Sequence, residues 1–149
     1  GKIMQIDTPE NLYNRPNSRF VHSFLGESTF INVVLQDGKV YAEGDVEHPL
    51  DLEIPGDADR RMVVATRPNS IDLMGPDGEG YPTKIEKRIF LTDRTEYLVP
   101  IGSQTLKIQV PHRISFAEGD ACKVRFVSPM WYPAEDEAAE KERQRRQLV

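Results

Sequence analysis

Between residues 29 and 127 the chain repeats one pattern. A run of roughly five to eight residues, rich in β-branched and aromatic side chains, ends at a Gly, Pro or Asp turn, and another run starts at a spacing near ten. No stretch between these runs carries the apolar period of a long helix. A parallel sheet needs such helices as crossovers. The pattern therefore predicts a mainly β fold of short antiparallel strands, a barrel or a sandwich. Strands are predicted over 29–36, 39–43, 50–54, 62–67, 71–74, 84–91, 96–101, 105–110 and 121–127. The first two flank Asp37-Gly38, a strong hairpin signal. In 39–43, Val40 and Ala42 take one face and Tyr41 the other. In 50–54, Leu50, Leu52 and Ile54 alternate with Asp51 and Glu53, the pattern of a half-buried strand. The glycine-rich stretch 75–80 lies between strands and reads as a plain loop.

The two ends follow other rules. Residues 1–7 read as a short strand. Thr8-Pro9-Glu10 opens a helix, with a capping hydroxyl, a proline at the first position and an acid at the positive end, and Pro16 stops it. Asn17 or Ser18 caps a second helix whose Phe20, Val21, Phe24 and Leu25 share one face, and Gly26 ends it. Two apolar faces in so small a piece need a partner, and the chain opens on Gly1 rather than Met. Both observations lead us to expect a piece of a larger protein. In 134–149 the acids come first and the bases last, with Glu137–Lys141 and Glu142–Arg146 at favourable helical spacing. No apolar face accompanies them, so a frayed helical or disordered tail is expected.

The chain's 149 residues suit one domain, or one domain with an appendage. Its 24 acidic residues outnumber 19 basic ones, giving a net charge of −5, which opposes general binding to nucleic acid. No apolar run approaches the length of a membrane span. Cys122 is the lone cysteine, which excludes an intramolecular disulfide, and beside Val124 and Phe126 it reads as a small core residue. The Gly-Lys pairs at 1–2 and 38–39 are not followed by Ser or Thr, so the chain shows no phosphate loop. His22, His48 and His112 are isolated; surface histidines are the plain reading, Glu47 and Asp51 near His48 weakly suggest a metal, and His112-Arg113 after Pro111 reads as a strand-edge turn or an anion contact. Neither Ser28 nor Ser115 has a nearby His and acid in a recognisable nucleophile context, although a triad need not be local in sequence. No catalytic, cofactor or metal residue is predicted. Arg67, at a strand end beside the rigid Pro68-Asn69, can grip a carboxylate or an anion, or hold the barrel through a salt bridge. Arg67, Asn69, Arg88 and Arg113 are the candidate regulatory or anion contacts. The aromatic run 130–133 reads as a plug for a barrel end or a contact with a protein neighbour.

Several segments carry a family resemblance. Residues 1–16 (G-K-I-M-Q-I-D-T-P-E-N-L-Y-N-R-P) resemble the G-x-I-x-Q-x-G-T-P-x-x-[IL]-Y-x-x-P stretch that closes the ATPase domain in ATP-binding subunits of bacterial ABC importers, with Asp7 in place of Gly. Residues 20–28 resemble the element that follows it, F-V-A-x-F-[IL]-G-x-x-N, and Thr29 stands at the usual Asn. Residues 66–73 resemble [GV]-x-R-P-E-x-I-x-[LV], with Asn69 for Glu. Residues 88–97 look like a strand pair of the TOBE (transport-associated OB) domain, and 119–124 like its closing G-D-x-[CV]-x-[VL].

The resemblance implies that 1–26 is the end of a nucleotide-binding domain and 27–133 an OB-type regulatory domain, with the charged tail 134–149 lying beyond it. It implies that ATP and magnesium are held by an upstream domain of the full subunit, and that this chain alone hydrolyses no ATP. It further implies a homodimer, membrane subunits as partners, no nucleic acid, and a place at the cytoplasmic face of the plasma membrane. The alternative is a standalone oxyanion or small-ligand-binding OB module, with Arg67, Lys84, Lys87, Arg88 and Arg113 supplying the charge.

Overall fold

The computed structural model describes residues 19–24 and 26–134. The strand expected at 1–7, the helix expected after Thr8, and residues 135–149 of the tail lie outside the described residues. Helix α1 (Arg19–Phe24) is the second helix read from the sequence. Ten strands follow among the described residues: β1 (Thr29–Gln36), β2 (Lys39–Ala42), β3 (Arg61–Thr66), β4 (Ile71–Met74), β5 (Tyr81–Lys84), β6 (Lys87–Phe90), β7 (Thr95–Ile101), β8 (Gln104–Val110), β9 (Ala121–Phe126) and β10 (Met130–Pro133).

The first sheet has the order β10-β3-β1-β2, with every pair antiparallel. Asp37 and Gly38 both take positive φ, 53° and 76°. That is the turn whose twist matches the flanking strands, so the hairpin forms where the sequence signals it. β3 is buried at every position after Arg61. Both of its faces are covered. Met62 and Val64 join the main core with Ile31 and Val33. Phe30 and Tyr132, opposite Ala65 and Val63, meet the His22 ring of α1 at 5.8 and 6.3 Å. A strand covered on both sides reads as a continuous apolar run rather than an alternating one.

The remaining strands close a barrel. Residues 81–90 form one extended run that changes partners midway: β5 pairs with β9, and β6 with β7. Ile85 marks the change, donating to the Asp120 carbonyl and accepting from the Gly119 N–H. The β5/β6 run, β7 and β8 follow in succession, and β9 returns beside β5, which is a Greek key. β4 flanks β9, and the Gln109 N–H bonds the Pro68 carbonyl at 2.8 Å, tying β8 to the lead-in of β4. This five-stranded Greek-key ring is the OB-type barrel that the strand pattern and the resemblance predict. Ile85, Tyr97, Val99, Ile101, Leu106, Ile108 and Val124 fill its interior, and Cys122 is buried with them.

Three expectations are corrected. Residues 50–54 form no strand. Only Leu50 bridges to Val40, and the Leu52 N–H turns back onto the Leu50 carbonyl, a tight turn that takes the chain out of line. The run read as 84–91 begins at Tyr81 and is split between two sheets. Residues 130–133 are not a plug but an edge strand on β3, where Pro133 is tolerated because one side of an edge strand has no ladder to serve.

Candidate functional site

The described polar groups are most tightly knit where α1 meets the β body. Thr66 ends β3, and the next residue, Arg67, is only 6% exposed. Its Nη1 donates to the carbonyls of His22 (3.0 Å) and Glu27 (3.3 Å) and to Ser28 Oγ (3.3 Å). A planar guanidinium with five donors suits this task, because it reaches several acceptors at once and stays charged. His22 is buried, and its Nδ1 contacts Ser28 Oγ. That hydroxyl also lies 3.0 Å from the His22 carbonyl. Burial first, and then the charge of Arg67, lowers the His22 pKa to about 4, so the ring is neutral at pH 7. Burial likewise drives the Tyr132 hydroxyl well above the usual range, with Arg67 working the other way.

Glu27 is fastened a second time through its side chain. It accepts from Lys107 Nζ at 2.9 Å and Gln109 Nε2 at 3.1 Å, both on β8. The hydrogen bond to Glu27 raises the Lys107 pKa. Gln109 also donates to Glu96 Oε1 at 2.9 Å, which extends the network across β7. The short stretch between α1 and β1 is thus held by Arg67 from below and by β8 from the side.

A second polar network orders the loop after β2. Asp45 accepts from Tyr81 Oη at 2.6 Å and from the backbone N–H groups of Glu47 and His48 at 2.9 and 3.2 Å. Tyr81 Oη accepts from the Gly102 N–H at 3.1 Å. Burial acts against the Asp45 charge, but the hydrogen bonds from Tyr81, Glu47 and His48 outweigh it and bring the pKa down to about 2. Burial and the Asp45 bond push Tyr81 up to about 12. An open groove of about 650 Å³ lies beside this loop, lined by Asp45, His48, Tyr81, Thr83, Lys84 and Pro100 among others. Asp45 is already engaged by four donors from within the fold, so the network builds the groove's wall.

The sequence candidates are dispersed. Arg67 is buried at the joint, and its bonds run to backbone carbonyls and Ser28. Asn69 is exposed in the turn that the Ser70 N–H closes on the Arg67 carbonyl. Arg88 is exposed on β6, its Cζ 5.6 Å from the Phe90 ring centre. Arg113 is exposed in the turn after β8, Lys87 is exposed on β6, and Lys84 borders the groove. His48 partners Asp45 rather than Glu47 or Asp51. His22 is a correction: it is a buried joint residue, 3% exposed, because α1 lays it between Phe30 and Tyr132. Sequence reasoning passed over Glu27, Lys107 and Gln109 and found no local partner for Ser28. The one available signal was an arginine directly after an apolar strand. Among the described residues no group of His, Cys, Asp and Glu could hold a metal ion, and no helix is long and apolar enough to cross a membrane.

No family model matches the chain. Its similarity to the cytoplasmic molybdate-binding protein ModG has a TM-score of 0.46 at 12% identity, covering 71% of this chain and 84% of that one. Individual relatives are closer in sequence. The chain is 34% identical over 134 residues to the sulfate/thiosulfate import ATP-binding protein CysA 1 of Rhizobium meliloti, a match covering 88% of this chain and 37% of the relative. Over most of its length the chain is similar to ATP-binding subunits of ABC importers. It is 29% identical over 130 residues to the spermidine/putrescine import ATP-binding protein PotA 1 of Pseudomonas aeruginosa, covering 81% of this chain and 35% of that protein. It is 29% identical over 136 residues to PotA of Mycoplasma mycoides, covering 90% and 37%. The chain thus spans little more than a third of the length of these relatives.

The joint between α1 and the β body should be acid-labile. Folding lowers the His22 pKa to about 4, below the ordinary histidine value of 6.5. The unfolded chain therefore binds more protons between these values. The stability from neutral His22 is fully present above pH 6.5 and is lost as pH falls through 6.5 towards 4. Urea unfolding at a series of pH values should show this decline, and a non-titrating His22→Gln variant should lack that part of the slope.

Proposed function

We propose that residues 27–133 are the regulatory module of an importer's ATP-binding subunit. Residues 1–26 would be the end of the ATPase domain that precedes it, and 134–149 a charged tail. The observation that supports this reading most directly is the fastened joint. Arg67 gathers the carbonyls of His22 and Glu27, and β8 grips the Glu27 carboxylate. A barrel so clamped to the segment before it follows that segment as one piece. That suits a module that senses or limits the movement of an adjoining ATPase domain. In this reading ATP and magnesium are bound upstream, and two copies pair about a two-fold axis. The subunit then works at the cytoplasmic side of a membrane with membrane-embedded partners.

The relatives' names divide between sulfate/thiosulfate and spermidine/putrescine, solutes of opposite charge. Similarity over this chain therefore selects neither solute, and we assign substrate choice to other parts of the importer. The test is reconstitution of the full importer in proteoliposomes. A subunit cut after Gly26 should still hydrolyse ATP but lose the dependence of hydrolysis on transported solute. If cut and intact subunits respond to solute alike, the regulatory reading fails.

A further inference from the structure

β6 has a free edge with an aromatic held beside it. On one side β6 pairs with β7. On the other, β9 stops bonding the β5/β6 run at Ile85, and among the described residues no strand lies against β6 there. Alternation puts Arg88 and Phe90 on one face, and both are exposed, Phe90 by 63%. The Phe90 ring stacks on His112 with centroids 4.1 Å apart and planes 21° apart. Thr95 Oγ1 and the Thr92 carbonyl hold His112 at 2.9 and 3.2 Å. The ring is therefore propped in place rather than loose.

The charge beside it is free of ion pairs among the described residues, and Arg88 lies over the Phe90 ring, its Cζ 5.6 Å from the centroid. Arg94, Lys107 and Arg125 each sit in an ion pair. Lys84, Lys87, Arg88 and Arg113 form none with the described residues and are all exposed. Cations on a short edge strand commonly serve to repel unwanted strands. That role accounts for Lys87 and Arg88. It does not account for a large aromatic fixed in solvent two residues along, which favours pairing.

We propose that the β6 edge, with Arg88, Phe90 and His112, is a docking surface for an extended acidic segment of a partner protein. The segment adds as a strand to β6, sets a carboxylate against Arg88 and lays an apolar side chain on Phe90. Charge argues against a second copy on the same edge. Two-fold β6–β6 pairing would crowd Lys87 and Arg88 of both copies onto one short ribbon.

The test uses the 149-residue chain labelled with nitrogen-15 and an acetylated, amidated peptide of three Glu-Val repeats. Amide shifts should be confined to 86–91 and 112–113. Arg88→Glu and Phe90→Ser should each weaken binding about ten-fold or more, added salt should weaken it, and Lys39→Glu on β2 should leave it within about two-fold. A peptide N-methylated at every amide should not bind, because strand addition needs backbone donors and full methylation removes them from both edges of the peptide. The proposal is overturned by an absence of shifts at about 1 mM peptide, by shifts mapping elsewhere, or by equal binding of a Lys-Val peptide. A self-association that Arg88→Glu abolishes would also overturn it, since a second copy would then occupy the edge.

Discussion

Replacing Arg67 by Met should lower the unfolding free energy by about 3 kcal/mol and release α1 from the β body. Hydrogen bonds to charged donors contribute roughly 1.5–3 kcal/mol each, and removing the donor leaves buried carbonyls without it. Arg67 serves His22, Glu27 and Ser28 together, and it is almost wholly buried, so solvent does not screen these contacts. Arg67→Lys should rescue only part of the loss, because one ammonium cannot reach the acceptors that a planar fork reaches. Lys107→Met provides the contrast. Lys107 and Glu27 are 37% and 49% exposed, and such a surface pair is worth well under about 1 kcal/mol. Urea denaturation gives the energies, and hydrogen exchange locates them. Amides of 19–24 should lose protection in Arg67→Met while those of β7 and β8 keep it. Equal stability of Arg67→Met and the parent chain would remove the joint from the argument for a regulatory module.

The second large effect is expected at Gly102, where the β7–β8 turn meets the end of β2. Gly102 has a φ of +62°, and a methyl built there falls inside van der Waals contact of the Glu43 carbonyl oxygen. Gly44, at +96°, faces the same junction, and its added methyl would lie 2.5 Å from the Ser103 nitrogen. Neither obstacle is a flexible side-chain tip. Both are backbone, held by the Ser103 N–H bond to the Glu43 carbonyl at 2.9 Å. Gly102→Ala should therefore cost about 3 kcal/mol, from the left-handed conformation and from overpacking together, and lower Tm by about 10 °C. Gly38→Ala separates the two causes. Gly38 also has positive φ, +76°, but nothing lies within 4 Å of its added methyl. It should lose only about 1 kcal/mol. If both variants melt together, the junction is looser than its geometry indicates.

Local chemistry made most of the β fold legible. Asp37-Gly38 announces its own turn, and the alternation of Leu106, Ile108 and Val110 announces β8 because the inward face must be apolar. What escaped depended on contacts distant in sequence. β10 contains Pro133 and follows Pro129, so nothing local favours a strand, and it forms because β3 offers an open edge. The break in the 81–90 run is invisible locally, since each half is a good strand and only the change of partner divides them. Leu50, Leu52 and Ile54 alternate correctly but are turned aside after Leu50. At the joint, Arg67 was noticed but its partners were not. They are main-chain carbonyls some 40 residues earlier, and a carbonyl leaves no mark on the identity of its residue.

The pairing of β10 with β3 also dictates a schedule. Until Met130–Pro133 has been synthesised, β3 presents Met62, Val63, Val64 and Ala65 along an open edge. An apolar edge of that kind recruits strands from other chains. The nascent chain must carry it past the completion of the barrel strands, since β9 ends at Phe126, just ahead of the strand that covers it. A stop codon between 126 and 130 would leave a finished barrel with an adhesive flank. Chaperone demand should therefore peak late and fall once β10 has emerged and paired with β3.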